Sequence, residues 1–124
     1  MFTVTKEFKF DAAHNLGDDY PGKCKSLHGH TYKVQVTVSL KDGESLDEYG
    51  MVVDFGKIKE IWKKELEPMF DHKYLNETLD FITTGENIVK FLFDKFSEYL
   101  NSDRINVYKV ELWETPTSKT TYQL

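Results

Sequence analysis

Leu27-His28-Gly29-His30-Thr31-Tyr32-Lys33-Val34-Gln35-Val36-Thr37-Val38-Ser39-Leu40-Lys41 alternates apolar and polar side chains along most of its length. Tyr32, Val34, Val36, Val38 and Leu40 fall on one side, and Thr31, Lys33, Gln35, Thr37 and Ser39 on the other. A period of two is the signature of a β-strand with one buried face. A long strand that is half polar belongs in an antiparallel sheet whose second face meets water. Lys41-Asp42-Gly43-Glu44 then reads as a turn.

The same pattern continues on the N-terminal side. From Phe2 to Ala12, residues Phe2, Val4, Phe8, Phe10 and Ala12 share a face and Thr3, Thr5, Glu7, Lys9 and Asp11 the other, with Lys6 interrupting the apolar set. On the C-terminal side the period changes. Asp54 is placed to cap a helix from about Phe55 to Glu67, whose stripe is Phe55, Ile58, Trp62, Leu66 and Met69 and which Pro68 stops. Thr84 is placed to cap a second helix, about Gly85 to Leu100, with the stripe Ile88, Val89, Leu92, Phe93, Phe96 and Leu100. Asn101-Ser102-Asp103 ends it, a strand of about Arg104 to Glu114 follows, and a short strand after Ser118 closes the chain. Strand–strand–helix–helix–strand–strand predicts one α+β domain over residues 1–124, an antiparallel four-stranded sheet with two helices on one face.

Composition narrows the function. Hydrophobic residues make up 40% and charged residues 30% of the 124, an ordinary globular mix. The net charge is −5 with no block of Lys or Arg, which speaks against nucleic acid as a partner. The single cysteine, Cys24, excludes an intrachain disulfide and suits a reducing cytoplasm. The first residues carry charges every few positions, unlike a signal peptide, and no apolar run approaches the roughly 20 residues of a membrane span. A soluble cytoplasmic protein with a small-molecule partner is expected.

The chemistry gathers in Cys24-Lys25-Ser26-Leu27-His28-Gly29-His30. Alternation puts His28 and His30 on one face, about 6–7 Å apart at their origins, so both imidazoles can lean toward one ion. His14 keeps the parity of Phe8, Phe10 and Ala12, so it joins them if the first two strands pair. Three histidines without a fourth protein ligand is a catalytic zinc pattern; partly buried, hydrogen-bonded histidines are the alternative. Cys24 lies among Gly22, Lys23, Lys25 and Ser26, the composition of a loop rather than of a core, where a thiol is accessible as a reactive group and also within reach as a resting zinc ligand. Asp71-His72 is either an acid–base pair or a solvated turn. Glu114 has the inward parity of Val110 and Leu112, so it is either a buried carboxylate that needs a paired N–H partner or an exposed strand-end acid.

Taken together, Phe10-Asp11-Ala12-Ala13-His14, the Cys24–His30 stretch, Val53-Asp54-Phe55, Leu66 through Asp71-His72 to Leu75-Asn76, Thr84-Gly85-Glu86-Asn87 and Glu114-Thr115 resemble the family of 6-pyruvoyltetrahydropterin and 6-carboxytetrahydropterin synthases. The resemblance covers nearly the whole chain. It implies zinc on His14, His28 and His30, Cys24 as the catalytic thiol, Asp71 and His72 completing a proton relay, Glu114 anchoring the pterin, and Thr84 and Glu86 lining the substrate. It implies the tunnelling fold, in which sheets join edge to edge into a barrel as trimers or dimers of trimers, with active sites between subunits. The three residues between Cys24 and His28 resemble the carboxy-forming branch, which acts on 7,8-dihydroneopterin triphosphate and feeds 7-deazaguanine and queuosine synthesis. The pyruvoyl-forming branch and a non-catalytic metal- or pterin-binding module are the alternatives. Thr83-Thr84-Gly85 lacks the proline usual at this point in the family. Lys23, Lys25 and Lys119 are candidates, by charge and position, to hold a triphosphate.

Overall fold

In the computed structural model, which describes residues 1–124, strand β1 (Thr3–His14) and strand β2 (His28–Leu40) pair antiparallel from Thr3 opposite Ser39 to His14 opposite His28. This register sets Phe8, Phe10 and Ala12 beside Val34, Tyr32 and His30, so the two apolar faces merge into one. Between Phe70 and the next helix the chain runs briefly alongside β1. Here Lys73–Tyr74 forms a two-residue strand, β3, parallel to Ala12–Ala13. Strand β4 (Ile105–Thr115) pairs with β2, and β5 (Ser118–Gln123) with β4, both antiparallel. The sheet order is β3-β1-β2-β4-β5.

The sheet therefore has five strands and is mixed, where the sequence pattern predicts four and all antiparallel. Two residues are too few to show a period. A second departure concerns the polar side of β2, where Thr37 and Ser39 are buried. As the strand between β1 and β4, β2 has both flanks covered. Its hydroxyls are satisfied locally: Thr37 Oγ1 lies 2.8 Å from Thr5 Oγ1, and Ser39 Oγ donates to the Asn106 carbonyl.

Helix α1 (Phe55–Ile61) starts on the predicted cap, with Asp54 Oδ1 accepting from the Gly56 N–H at 2.6 Å. The helix does not end at Glu67. It widens into a π-helical turn, Trp62–Leu66, and continues as α2 (Glu67–Phe70). Pro68 explains the change: it has no N–H to donate and its ring crowds the preceding turn. The chain accommodates it in a wider turn, in which the Glu67 N–H reaches back to the Trp62 carbonyl. Phe55 is 51% exposed, so the predicted stripe begins at Ile58 instead and includes Ile61. A short helix α3 (Leu75–Thr78) precedes α4 (Gly85–Leu100), whose predicted stripe is buried throughout and whose Thr84 cap accepts from the Asn87 N–H. Both long helical segments lie on the apolar side of the sheet. Between the layers Phe10 stacks on Tyr32 at 4.7 Å and Phe8 on Trp62 at 5.1 Å. No helix is long and apolar enough to cross a membrane.

Candidate active site

The β1–β2 register ends with His14 opposite His28, and His30 follows two residues along the same face. The three ring centroids lie 4.5, 4.8 and 5.3 Å apart, and one ligand nitrogen from each ring falls within 4.8 Å of the others. The tautomers follow from the partners of the opposite nitrogens. His14 Nδ1 lies 2.9 Å from the Thr83 carbonyl, and His28 Nδ1 lies 2.8 Å from the Ser26 carbonyl. A carbonyl oxygen only accepts, so both Nδ1 atoms carry the proton and both Nε2 atoms present a lone pair. These two Nε2 atoms are buried and have no hydrogen-bond partner in the protein. Buried polar nitrogens aimed at one another's neighbourhood are costly unless a cation joins them. The residues thus fit a metal ion.

Burial reinforces this. Desolvation is the main cause that lowers the His14 pKa to about 4; the Thr83 hydrogen bond opposes it, and His28 and His30 add to it. The ring is neutral at neutral pH, as a ligand must be. His30 is also lowered, first by burial and further by His28, against the opposing carboxylate of Glu114. Glu114 Oε2 stands 3.7 Å from His30 Nε2. The inward parity of Glu114 therefore holds, and its carboxylate sits under the start of α4. A Cβ on Gly85 would come within 2.9 Å of Glu114 Oε1 and 2.6 Å of Thr120 Oγ1, so only glycine lets the helix approach this closely.

Cys24 is half-buried in a single 3₁₀ turn, Lys23–Lys25, which its carbonyl fastens to the end of β1 by accepting from the Leu16 N–H. Its sulfur is not among the clustered ligand atoms, so the structure leaves it outside the ligand set of the three histidines. Lys23 and Lys25 flank it, exposed. Lys119 is engaged elsewhere: its ammonium lies 2.9 Å from Glu111 Oε2. Thr84 is occupied as the α4 cap, and Glu86 is exposed in the first turn without a side-chain hydrogen bond.

Asp71 and His72 form a pair, with Asp71 Oδ2 3.1 Å from His72 Nδ1. They lie at the β1 edge of the sheet. Asp71 Oδ1 accepts from the Asp11 N–H, and the His72 N–H donates to the Asp11 carbonyl at 2.6 Å. Asp11 points to the opposite side of β1 from His14, where Thr31 donates to its carboxylate at 2.6 Å. The ligand atoms of Asp11, Asp71 and His72 cluster within 4.8 Å on that outer side. Within one chain the sheet therefore separates this pair from the three histidines. His72 has φ 57, the left-handed region, which costs a non-glycine residue on the order of 1 kcal/mol or more. Its side chain is 77% exposed.

Three residues that hold the site together receive no role from the sequence pattern. Thr83 grips His14 through its carbonyl and, at 3.1 Å, its hydroxyl, which itself donates to the Asn15 carbonyl. Asn15 and Asn76 are cross-linked by side chain to main chain, tying α3 to the end of β1. No residue-type signal marks Thr83 or Asn15. Asn76 stood within the Leu75-Asn76 motif, which was signal enough.

A tri-histidine centre at the end of an antiparallel sheet, with a carboxylate beside it and a thiol in the adjoining loop, is the arrangement of a metal-assisted lyase or hydrolase site. The family profile described as 6-pyruvoyl tetrahydropterin synthase matches residues 3–124, and the chain belongs to that family. It is 35% identical over 144 residues to the 6-carboxy-5,6,7,8-tetrahydropterin synthase of Haemophilus influenzae, covering 99% of each chain. It is 37% identical over 126 residues to the protein of the same name from Synechocystis, covering 98% of this chain and 93% of that one. Among solved structures, 6-pyruvoyl tetrahydropterin synthase of Caenorhabditis elegans superposes with a TM-score of 0.83 at 29% identity, over 99% of this chain and 95% of that one. The α+β domain thus has the tunnelling fold, and the chain is a pterin synthase by family.

Proposed function

We propose that this chain is a cytoplasmic, zinc-dependent enzyme that converts 7,8-dihydroneopterin triphosphate to 6-carboxy-5,6,7,8-tetrahydropterin, acetaldehyde and triphosphate, within 7-deazaguanine and queuosine synthesis. The observation that carries it is the pair of buried, partnerless Nε2 atoms of His14 and His28 clustered with His30, with Glu114 beside His30 and Cys24 in the loop that joins β1 to β2. Three imidazole ligands suit zinc and leave a position open. Zinc held there would polarise side-chain oxygens of the substrate as a Lewis acid. Two supports favour the carboxy product over the pyruvoyl one: the short Cys24–His28 spacing and the names of the relatives at 35% and 37% identity.

Each residue's work follows from its place. Glu114, an acceptor only, would take two N–H groups from the amino edge of the pterin, with Thr84 and Glu86 near the same helix start. Cys24 would move a proton at the substrate side chain. Asp71 accepts from His72 Nδ1 and so leaves His72 Nε2 to exchange a proton. Since that pair lies across the sheet from the histidines, it would serve the centre of another copy. The outer edge of β5, and that of β1 ahead of the two residues that β3 covers, support such assembly, because each offers unpaired backbone groups. Lys23 and Lys25 would meet the triphosphate. The test is anaerobic incubation of purified protein with 7,8-dihydroneopterin triphosphate, read by mass spectrometry. The carboxy product with acetaldehyde is expected. A pyruvoyl product would overturn the branch, and no turnover by metal-loaded protein would overturn the synthase reading in favour of a binding module.

A further inference from the structure

Tyr32 reads in the sequence as one more apolar-face residue of β2, and the mechanism above gives it nothing to do. The structure sets it apart. It is fully buried, yet its hydroxyl has no hydrogen-bond partner in the protein. Buried phenols ordinarily find a partner, since an unmade hydrogen bond forfeits solvation without return. Phe10 covers one face of its ring, stacked at 4.7 Å and 8°. The rings of His30 and His14 meet it edge-on at 5.4 and 6.1 Å. Two of the three rings packed on Tyr32, those of His30 and His14, therefore belong to the tri-histidine site, and the third, Phe10, offers no polar partner.

We propose that the Tyr32 hydroxyl is a fourth polar contact of the tri-histidine centre, a donor that positions the oxygen ligand, water or a substrate hydroxyl, facing the three imidazoles. The inference rests on the reading of His14, His28 and His30 as a metal centre. It assigns Tyr32 a duty that core packing does not need, because phenylalanine would stack on Phe10 equally well. A buried donor next to a position filled by an oxygen ligand fixes the direction of that oxygen's lone pairs, and removing it loosens the ligand without removing the ion.

The test is Tyr32→Phe, which deletes one oxygen and keeps the ring. Wild type and variant are loaded with cobalt(II), whose visible bands report the ligands around it, and the zinc-loaded forms are assayed for turnover. The proposal predicts one cobalt per chain in both proteins, a displaced band pattern in the variant, and kcat lowered about 10–100-fold, with thermal stability at least equal to wild type. Superimposable spectra with unchanged kcat would overturn it and leave Tyr32 as packing. Wild type that binds no cobalt would remove the metal centre itself and the proposal with it. Altered spectra in a protein that turns over no pterin would sustain the Tyr32 contact while sinking the synthase reading.

Discussion

Replacing Thr83 by valine isolates one hydrogen bond behind the metal ligands. The Thr83 hydroxyl lies 3.1 Å from His14 Nδ1, and the Thr83 carbonyl, which valine keeps, lies at 2.9 Å. The Asn15 carbonyl, which loses the hydroxyl proton, retains the Asn76 side chain at 3.0 Å. The substitution thus removes one of two acceptors and strands no buried group. One neutral hydrogen bond contributes about 1 kcal/mol net. If all of it falls on the metal-bound state, affinity drops about fivefold, since 1.4 kcal/mol is tenfold. Competition against a chromogenic chelator measures this directly, with His14→Ala as the reference for losing a ligand outright. An unchanged affinity would show that the hydroxyl does not orient the ring. A loss as deep as that of His14→Ala would show that the carbonyl contact fails with it.

Three other substitutions probe different links. Gly85→Ala should cost about 1–3 kcal/mol through overpacking and raise the pterin KM, because the new methyl displaces Glu114 and Thr120; denaturant unfolding and KM check both, and a more stable variant with unchanged KM would refute the close-approach argument. Glu111 is buried between Lys119 and Lys109; burial alone would raise its pKa, but the two lysines outweigh it and hold the carboxyl below 4.5. A depressed pKa means that stability from this group is full above 4.5 and lost as pH falls below it, so Glu111→Gln should flatten the acid limb of the unfolding profile. Cys24→Ala should cut turnover at least about 100-fold while metal content, read by atomic absorption, stays at wild-type level; loss of metal would make Cys24 a ligand.

The long strands, both long helices and their caps are legible because each carries a period over ten or so residues and a polar residue at its start. Lys73–Tyr74 was illegible as a strand because two residues show no period, and the π-turn at Trp62–Leu66 because it is a local answer to Pro68. The histidine ligands were legible through parity, since the same alternation that buries Phe10 and Tyr32 aims His14 and His30 inward. Thr83 was hidden because it acts partly through its carbonyl, which any residue has. The separation of Asp71-His72 from the histidines was hidden too. It depends on which side of β1 the edge of the sheet delivers them to, and adjacency in the chain says nothing of that.

The central claim is that chemistry needs both sides of the sheet, joined across copies of the chain. Cys24→Ala and His72→Ala, each inactive alone, should therefore be unfolded and refolded together in equal amounts. If Cys24 of one copy works with His72 of another, random mixing leaves about one site in four intact, and activity returns to about a quarter of wild type. Mixed oligomers that stay inactive, while a control of mixed wild type recovers fully, would contradict the account and require both groups from one chain.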